Sequence, residues 1–349
     1  MQIDYNARID QAIRQMRSRS LDSFLVTNAT NVSYLSPFRG HDAVMLLTHK
    51  KRFFITDSRY IEEVRKTLGS YDIVMAKESL YKTLRSLAVK NRLKKFGFES
   101  MNLPYEVAGR LKDAIKTITL IPVSSLVEDL RSVKDKYEIR FIRESIRLTK
   151  AVLNSVSSLI KPGLREDTLA VKIKTETIRR GGEASFDPIV AAGANSSMPH
   201  ARAGKTEIAR NSFVMIDMGC RLNLYNSDIT RMVIVGKCQK RFKKIYDIVQ
   251  KAREKAIDAI RPGIRISEID NAARRYIQIS GFGKCFGHSL GHGVGLDVHE
   301  SPTISRTNEG TLKSGMVFTV EPAIYIPGFG GVRIEDIILV TDDGCEVLT

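Results

Sequence analysis

A chain of 349 residues, 43% of them hydrophobic, is long enough to bury two cores, and no apolar run approaches the roughly 20 residues that span a bilayer, so a membrane role is not expected. The net charge of +16 invites a nucleic-acid reading, but the basic residues are spread along the chain, and the densest spots, 90–95 and 240–244, read as solvated helix faces or turns. Cys220, Cys238, Cys285 and Cys345 lie far apart without a C-x-x-C pair, which argues against a disulfide framework or a thiolate zinc site; with no leader-like start, reduced thiols in a cytoplasmic protein are expected.

Ile9, Ile13 and Met16 predict a helix over 8–19. Short apolar runs then predict strands at 23–27, 43–48, 52–56, 73–76 and 96–99. Helices are predicted between them at 58–68, 79–90 and 104–114, the last opening on Pro104, where a missing N–H costs nothing. This alternation indicates an α/β domain over 1–125. In the second domain, 126–349, Asp135 and Glu138 have the spacing of a capping box. Ile142, Ile146, Leu153, Val156 and Ile160 continue as an apolar stripe interrupted by Thr149 and stopped by Pro162-Gly163.

The second domain repeats itself. Ile160-Lys161-Pro162-Gly163-Leu164-Arg165 returns as Ile260-Arg261-Pro262-Gly263-Ile264-Arg265, each copy following one helix-like stretch and preceding another. The apolar run 213–216 ends in Asp217, and the run 317–320 ends in Glu321. Each copy then supplies a second carboxylate at the start of a strand, Asp228 and Glu335. The turn-like segments between these acids allow each pair to face across a hairpin. Hairpins with helices on one face predict an α+β domain with a mainly antiparallel sheet, pseudo-twofold symmetry and a site near that axis.

Three of the six histidines, His288, His292 and His299, fall in the string 287–300. One histidine with four carboxylates is a ligand set for Mn, Co, Fe or Zn, and two divalent ions would nearly neutralise four acids that otherwise repel. Gly291, Gly293 and Gly295 are expected to let the backbone pass close to that site, since no phosphate-binding strand–turn–helix unit surrounds them. A single acid after a strand is usually a rim residue, and a lone histidine is usually structural, as His41 and His49 are expected to be; the joint occurrence carries the metal reading.

The strings 216–219, 227–231, 288–300, 319–325 and 331–336 resemble the metallopeptidases of the pita-bread fold, which include methionine aminopeptidases, aminopeptidase P and prolidase. Thr56-Asp57-Ser58-Arg59-Tyr60 in the N-terminal domain resembles the Xaa-Pro branch. The resemblance implies a creatinase-type N-terminal domain and a C-terminal pita-bread domain. It implies Asp217, Asp228, His292, Glu321 and Glu335 as ligands of two divalent ions, Mn first and Co, Zn or Fe as alternatives, with Asp228 and Glu335 bridging. His200 and His299, with Glu321, are implied as catalytic groups, and His288, Arg333 and Tyr325 as substrate-binding groups.

The implied reaction is attack of a metal-bridging hydroxide on the bond between an N-terminal residue and proline, in a homodimer without membrane or specific nucleic-acid partners. A prolidase restricted to dipeptides is the alternative to an aminopeptidase P, and a catalytically silent binding module is the alternative to both. A methionine aminopeptidase would not need the N-terminal extension, and a creatine-type hydrolase does without the ligands. Ala323 departs from the family pattern, which often has Gly there.

Overall fold

The computed structural model describes residues 3–116, 118–237 and 239–349. Cys238, one of the four thiols above, lies outside the described residues. The chain divides into two compact units, Met1–Arg131 and Ser132–Thr349. The division falls later than the sequence-based boundary at 125/126 because Glu128 and Arg131 both hold the Asn31 side chain, at 2.7 and 2.8 Å, and so tie the next helix to the first unit.

The first unit runs α1 (Tyr5–Ser18), β1 (Ser23–Val26), α2 (Ala29–Leu35), β2 (Ala43–Thr48), β3 (Arg52–Thr56), α3 (Ile61–Thr67), β4 (Asp72–Met75), α4 (Leu80–Lys90), β5 (Lys95–Glu99), α5 (Tyr105–Ala114), β6 (Thr119–Val123) and α6 (Leu126–Ser132). Its six strands form one mixed sheet in the order β4-β3-β2-β1-β5-β6. Two elements have no clear sequence signal. α2 is only seven residues long, too short for a periodic signal, and it starts because the Asn28 side chain accepts the N–H groups of Thr30 and Asn31. β6 contains Pro122, which is tolerated because β6 is an edge strand.

The second unit opens on α7 (Lys136–Ser157), where the predicted capping box is present: Asp135 accepts from Tyr137 and Glu138, and Glu138 reaches back to the Asp135 N–H. Ile142, Ile146, Val152, Leu153 and Val156 are buried along one face. Thr149, the interruption in that stripe, is buried too, and its hydroxyl lies 2.6 Å from Ser227 Oγ. Then follow α8 (Glu166–Arg179), β7 (Glu183–Ala184), β8 (Ile189–Ala192), β9 (Ser212–Met218), β10 (Cys220–Leu222), β11 (Tyr225–Asn226), β12 (Ile229–Val235), α9 (Lys240–Ala259) and α10 (Ile266–Ile277). The unit ends with β13 (Gly291–Gly293), β14 (Glu300–Ile304), β15 (Val317–Val320), β16 (Ala323–Ile326), β17 (Gly330–Arg333), β18 (Asp336–Val340) and β19 (Cys345–Val347). Among the described residues, every strand pair here is antiparallel, and no helix of the chain is long and apolar enough to cross a membrane.

The sequence repeat is a structural repeat. Gly163 and Gly263 both take φ +83°, the left-handed region that glycine enters without strain. Their N–H groups donate to Ile208 and Leu312, each at 2.9 Å, and the carbonyls of Leu164 and Ile264 accept in return from the same two residues. α7 and α8 then pack on β8 and β9 through Val156, Ile173, Val214 and Ile216, while α9 and α10 pack on β15 and β18 through Val249, Ile269, Phe318 and Ile338. Each half therefore buries one helix pair against its own carboxylate-bearing strands.

Asp135→Ala should lower the stability of this unit by about 1 kcal/mol, the usual cost of losing a helix cap. A lower denaturant midpoint with unchanged helix content by circular dichroism checks it.

Candidate metal centre

Strand register brings the acids together. β9 pairs with β12 so that Asp217 lies opposite Thr230. Asp228 is two positions before Thr230 and returns to the same face. The link between them is more than a turn, because β10 and β11 form a small hairpin of their own around Asn223 and Leu224, both at positive φ. In the other half Val320 pairs with Asp336, and Ala323 pairs with Arg333. Glu321 and Glu335 thus sit between two ladders of one hairpin. The halves join where the Glu335 N–H donates to the Thr230 carbonyl at 3.3 Å.

Ligand atoms of Asp228, His292 and Glu335 lie within 4.8 Å of one another. His292 Nε2 is also 3.4 Å from Glu321 Oε1 and 3.6 Å from Asp228 Oδ2, while its Nδ1 lies 3.1 Å from the Gly293 carbonyl. Donation to that carbonyl fixes the tautomer that leaves the Nε2 lone pair pointing at the acids. Asp217 stands apart from the tight trio: its Oδ2 accepts from Arg333 Nη2 at 2.5 Å.

Electrostatics show what this cluster lacks. Burial, then repulsion from Glu335, Asp217 and Glu321, raises the Asp228 carboxyl well above its ordinary range. Burial and repulsion from Glu321 and Asp217 do the same to Glu335. Burial pushes Glu321 up to about 7. Burial and His299 push His292 down to about 4, so its imidazole is neutral at pH 7, the form that can ligate. Among the described residues, Asp217 Oδ1 and Asp228 Oδ1 are buried with no hydrogen-bond partner. Orphaned acceptors among crowded carboxylates beside a neutral imidazole fit divalent cations, which would satisfy those oxygens and cancel the repulsion.

The remaining predicted residues surround this group. The His299 ring is 4.2 Å, centroid to centroid, from that of His292. His288 Nε2 lies 3.2 Å from the Tyr325 hydroxyl, which accepts from Arg333 Nη1 at 2.8 Å; burial pushes Tyr325 up to about 12 and His288 down to about 4. Burial opposes the charge on Arg333, but Asp217, Tyr325, Glu321 and Glu335 together hold it protonated. Arg333 donates to Thr230, Pro199, Tyr325 and Asp217. Four of the five guanidinium N–H groups are thus directed at protein. His200 is exposed on the turn that Arg333 anchors through Pro199.

Sequence reasoning missed the hydroxyl groups that orient the acids. Thr230 Oγ1 donates to Glu335 Oε2 at 2.6 Å, and Thr319 Oγ1 donates to Glu321 Oε1 at 3.2 Å. Their signal was available, since each lies two residues from a candidate ligand along a strand and so on the same face. Arg231 donates to the Glu335 carbonyl and to Asp336, which also accepts from Arg253 and turns away from the trio. The glycines have a different reason from the expected one. A Cβ at Gly291 would run into the Thr319 carbonyl and one at Gly293 into the Ser301 carbonyl, so they allow β13 to pass between its neighbours.

Paired half-domains thus converge on buried acids and a neutral imidazole, a donor set that could hold a divalent ion. Residues 140–342 match metallopeptidase family M24, and residues 8–133 match the creatinase/prolidase N-terminal domain. A curated Xaa-Pro dipeptidase from Pyrococcus horikoshii is 36% identical over 351 residues, covering 99% of this chain and 97% of that protein. An Xaa-Pro dipeptidase structure from Bacillus anthracis superposes with a TM-score of 0.96 at 36% identity, covering 99% of this chain and 98% of the other. An X-Pro aminopeptidase structure from Thermotoga maritima gives 0.88 at 32% identity, covering 96% and 97%. The chain belongs to metallopeptidase family M24, with a creatinase-type N-terminal domain before a pita-bread domain, and is a peptide-bond hydrolase.

The metal-free protein should lose stability as pH rises from about 6.5 through about 7. A carboxyl whose folded pKa is raised contributes stability that is full below its unfolded pKa and is lost as pH rises to and through the folded value, about 7 for Glu321; Asp228 and Glu335, raised well above their ordinary range, act in the same direction. The depressed histidines act with the opposite sign, but only below about 6.5, where the unfolded imidazole titrates. Thermal melts of chelated protein should show the fall, Asp228→Asn should reduce it, and added Mn should remove it.

Proposed function

We propose that this chain hydrolyses the bond between an N-terminal residue and proline in Xaa-Pro dipeptides, using two divalent ions held by Asp217, Asp228, His292, Glu321 and Glu335. The reading is carried by the convergence of Asp228, His292 and Glu335 in a chain that matches an Xaa-Pro dipeptidase along 99% of its length. Mn is the first candidate ion, and a cytoplasmic homodimer is the working form. When bound, the ions supply Lewis acidity and a nucleophilic water at neutral pH.

The protein groups divide the remaining work. The nitrogen of a bond to proline carries no hydrogen and leaves only once protonated. Glu321 can take up the proton that the attacking water gives up and release it to that nitrogen. His299 and His200 can donate to the carbonyl oxygen as it gains charge; burial keeps His299 neutral, so its ring brings an N–H without a competing cation. Phe286, His288 and Tyr325 form a wall of linked rings, with centroids 5.1 and 5.7 Å apart, suited to the apolar face of a pyrrolidine ring. Arg333 fixes that wall through Tyr325 and holds Asp217 on the opposite strand.

The test is release of the N-terminal residue from Ala-Pro and Ala-Pro-Ala in parallel, after chelation and reloading with Mn or Co. Ala-Pro should be cleaved and Ala-Pro-Ala should not. Asp228→Asn should lose metal and more than about 100-fold in rate, beyond the 10–100-fold typical of groups that only orient a ligand. Cleavage of the tripeptide would move the assignment to an aminopeptidase. Cleavage of neither peptide, with no metal retained, would leave a silent binding module.

A further inference from the structure

A deeply buried ion pair outside the metal centre joins Lys134 to Glu300, Nζ to Oε1 at 2.8 Å, with side chains 1% and 6% exposed. Its position bears on catalysis, because Glu300 directly follows His299. The Lys134 backbone is itself fixed, its N–H donating to the Gly315 carbonyl at 2.8 Å beside the bridge between Val133 and Met316. Its ammonium also faces the carbonyls of Ser132 and Val317, at 3.4 and 3.5 Å. Lys134 thus reaches the Glu300 end of the His299 loop from the segment that leads into α7.

That loop joins β13, which carries His292, to β14, which starts at Glu300. The ladder between these strands shifts register after His292, so pairing alone does not fix the loop. Two side chains do. Asn226 Nδ2 donates to the carbonyls of Gly295 and Leu296, at 3.1 and 2.9 Å, and holds the near side. The Glu300 carboxylate holds the far side: Oε2 lies 3.4 Å from the Asp297 N–H, and the carboxylate packs so closely on Gly295 that a Cβ there would lie 2.5 Å from Oε1. Glu300 thus fills the inside of the loop, and the lysine fixes where it sits.

We propose that Lys134 is a positioning residue for His299, acting through Glu300. The proposal rests on the catalytic role of His299 given above. Loss of the ammonium would break this buried ion pair and let the Glu300 carboxylate shift, taking the loop and the His299 ring with it. Asp228 and Glu335 lie on other segments, and His292 is fixed ahead of the loop where its N–H donates to Thr319 Oγ1 at 3.1 Å, so metal binding is separable from this effect.

Holoenzymes of Lys134→Met, His299→Ala and their combination test it on Ala-Pro. Lys134→Met should retain metal stoichiometry, keep KM within about twofold and lower kcat on the order of 10–100-fold, the scale of a misplaced reacting group. The combined variant should be no slower than His299→Ala alone, and Lys134→Arg should recover part of the rate. Losses that multiply in the combined variant, or a loss of metal in Lys134→Met, would overturn the proposal. If Lys134→Met does not fold, Glu300→Gln carries the same comparison. If the wild type cleaves no Xaa-Pro peptide, the functional reading fails on its own. The positioning claim is then read from the ¹⁵N resonances of the His299 ring in Zn-loaded protein: displacement in Lys134→Met supports it, and unchanged resonances overturn it.

Discussion

Repulsion between buried carboxylates is the constraint around which the second unit is built. Two unit charges 4.8 Å apart, the spread of the Asp228–Glu335 trio, repel by roughly 3–4 kcal/mol at an effective dielectric constant near 20. That is a sizeable fraction of a stability of about 5–15 kcal/mol, and four such groups share this core. The protein answers with Arg333 against Asp217, with threonine hydroxyls on Glu335 and Glu321, and with protons retained well above their usual range. None of these satisfies Asp217 Oδ1 or Asp228 Oδ1. The fold is complete in its backbone and incomplete in its charge, which is the physical content of a metal-dependent enzyme.

Duplication supplies the scaffold for that arrangement. Each half has a helix, a left-handed glycine after proline, a second helix and a strand that presents acids, and each closes its Pro-Gly turn by the same reciprocal backbone bonds. The two halves nevertheless use different reach, aspartates in one and glutamates in the other. The supporting threonines follow the same logic from opposite sides: Thr230 from the aspartate half orients Glu335, and Thr319 orients Glu321 within its own half. Arg333 links the halves again by reaching Asp217 and Thr230.

Much of this was legible because it depends on local pattern. The Asp135 capping box, the apolar runs ending in Asp217 and Glu321, and the repeated Pro-Gly strings are all read within a few residues. Less legible were features set by partners distant in the chain. Asn31 ties Glu128 and Arg131 to the first unit over about 100 residues of sequence, which moved the domain boundary. β6 carries a proline that argues against a strand until its edge position is known. Thr230 and Thr319 share a strand face with a candidate ligand, but what their hydroxyls hold, like the role of Lys134, is declared only by what they touch. The glycines of 291–295 were recognisable as a close approach, but the neighbour proved to be adjacent strands and the Glu300 carboxylate.

Thr149, which breaks the apolar stripe of α7, works with Ser145, one helical turn earlier, and both hydroxyls meet Ser227, the residue before Asp228. An apolar stripe alone lets a helix roll or slide by small amounts at little cost, because one methyl group substitutes for another. Two hydroxyls that converge on a third do not permit this: a rotation of one residue carries both away, and a shift of one turn leaves one without its match. The pair acts as a mechanical key, giving α7 a single seat against the link between β11 and β12 that bears Asp228. The apparent flaw in the stripe is therefore what converts loose hydrophobic packing into a fixed setting for a ligand that lies outside the helix.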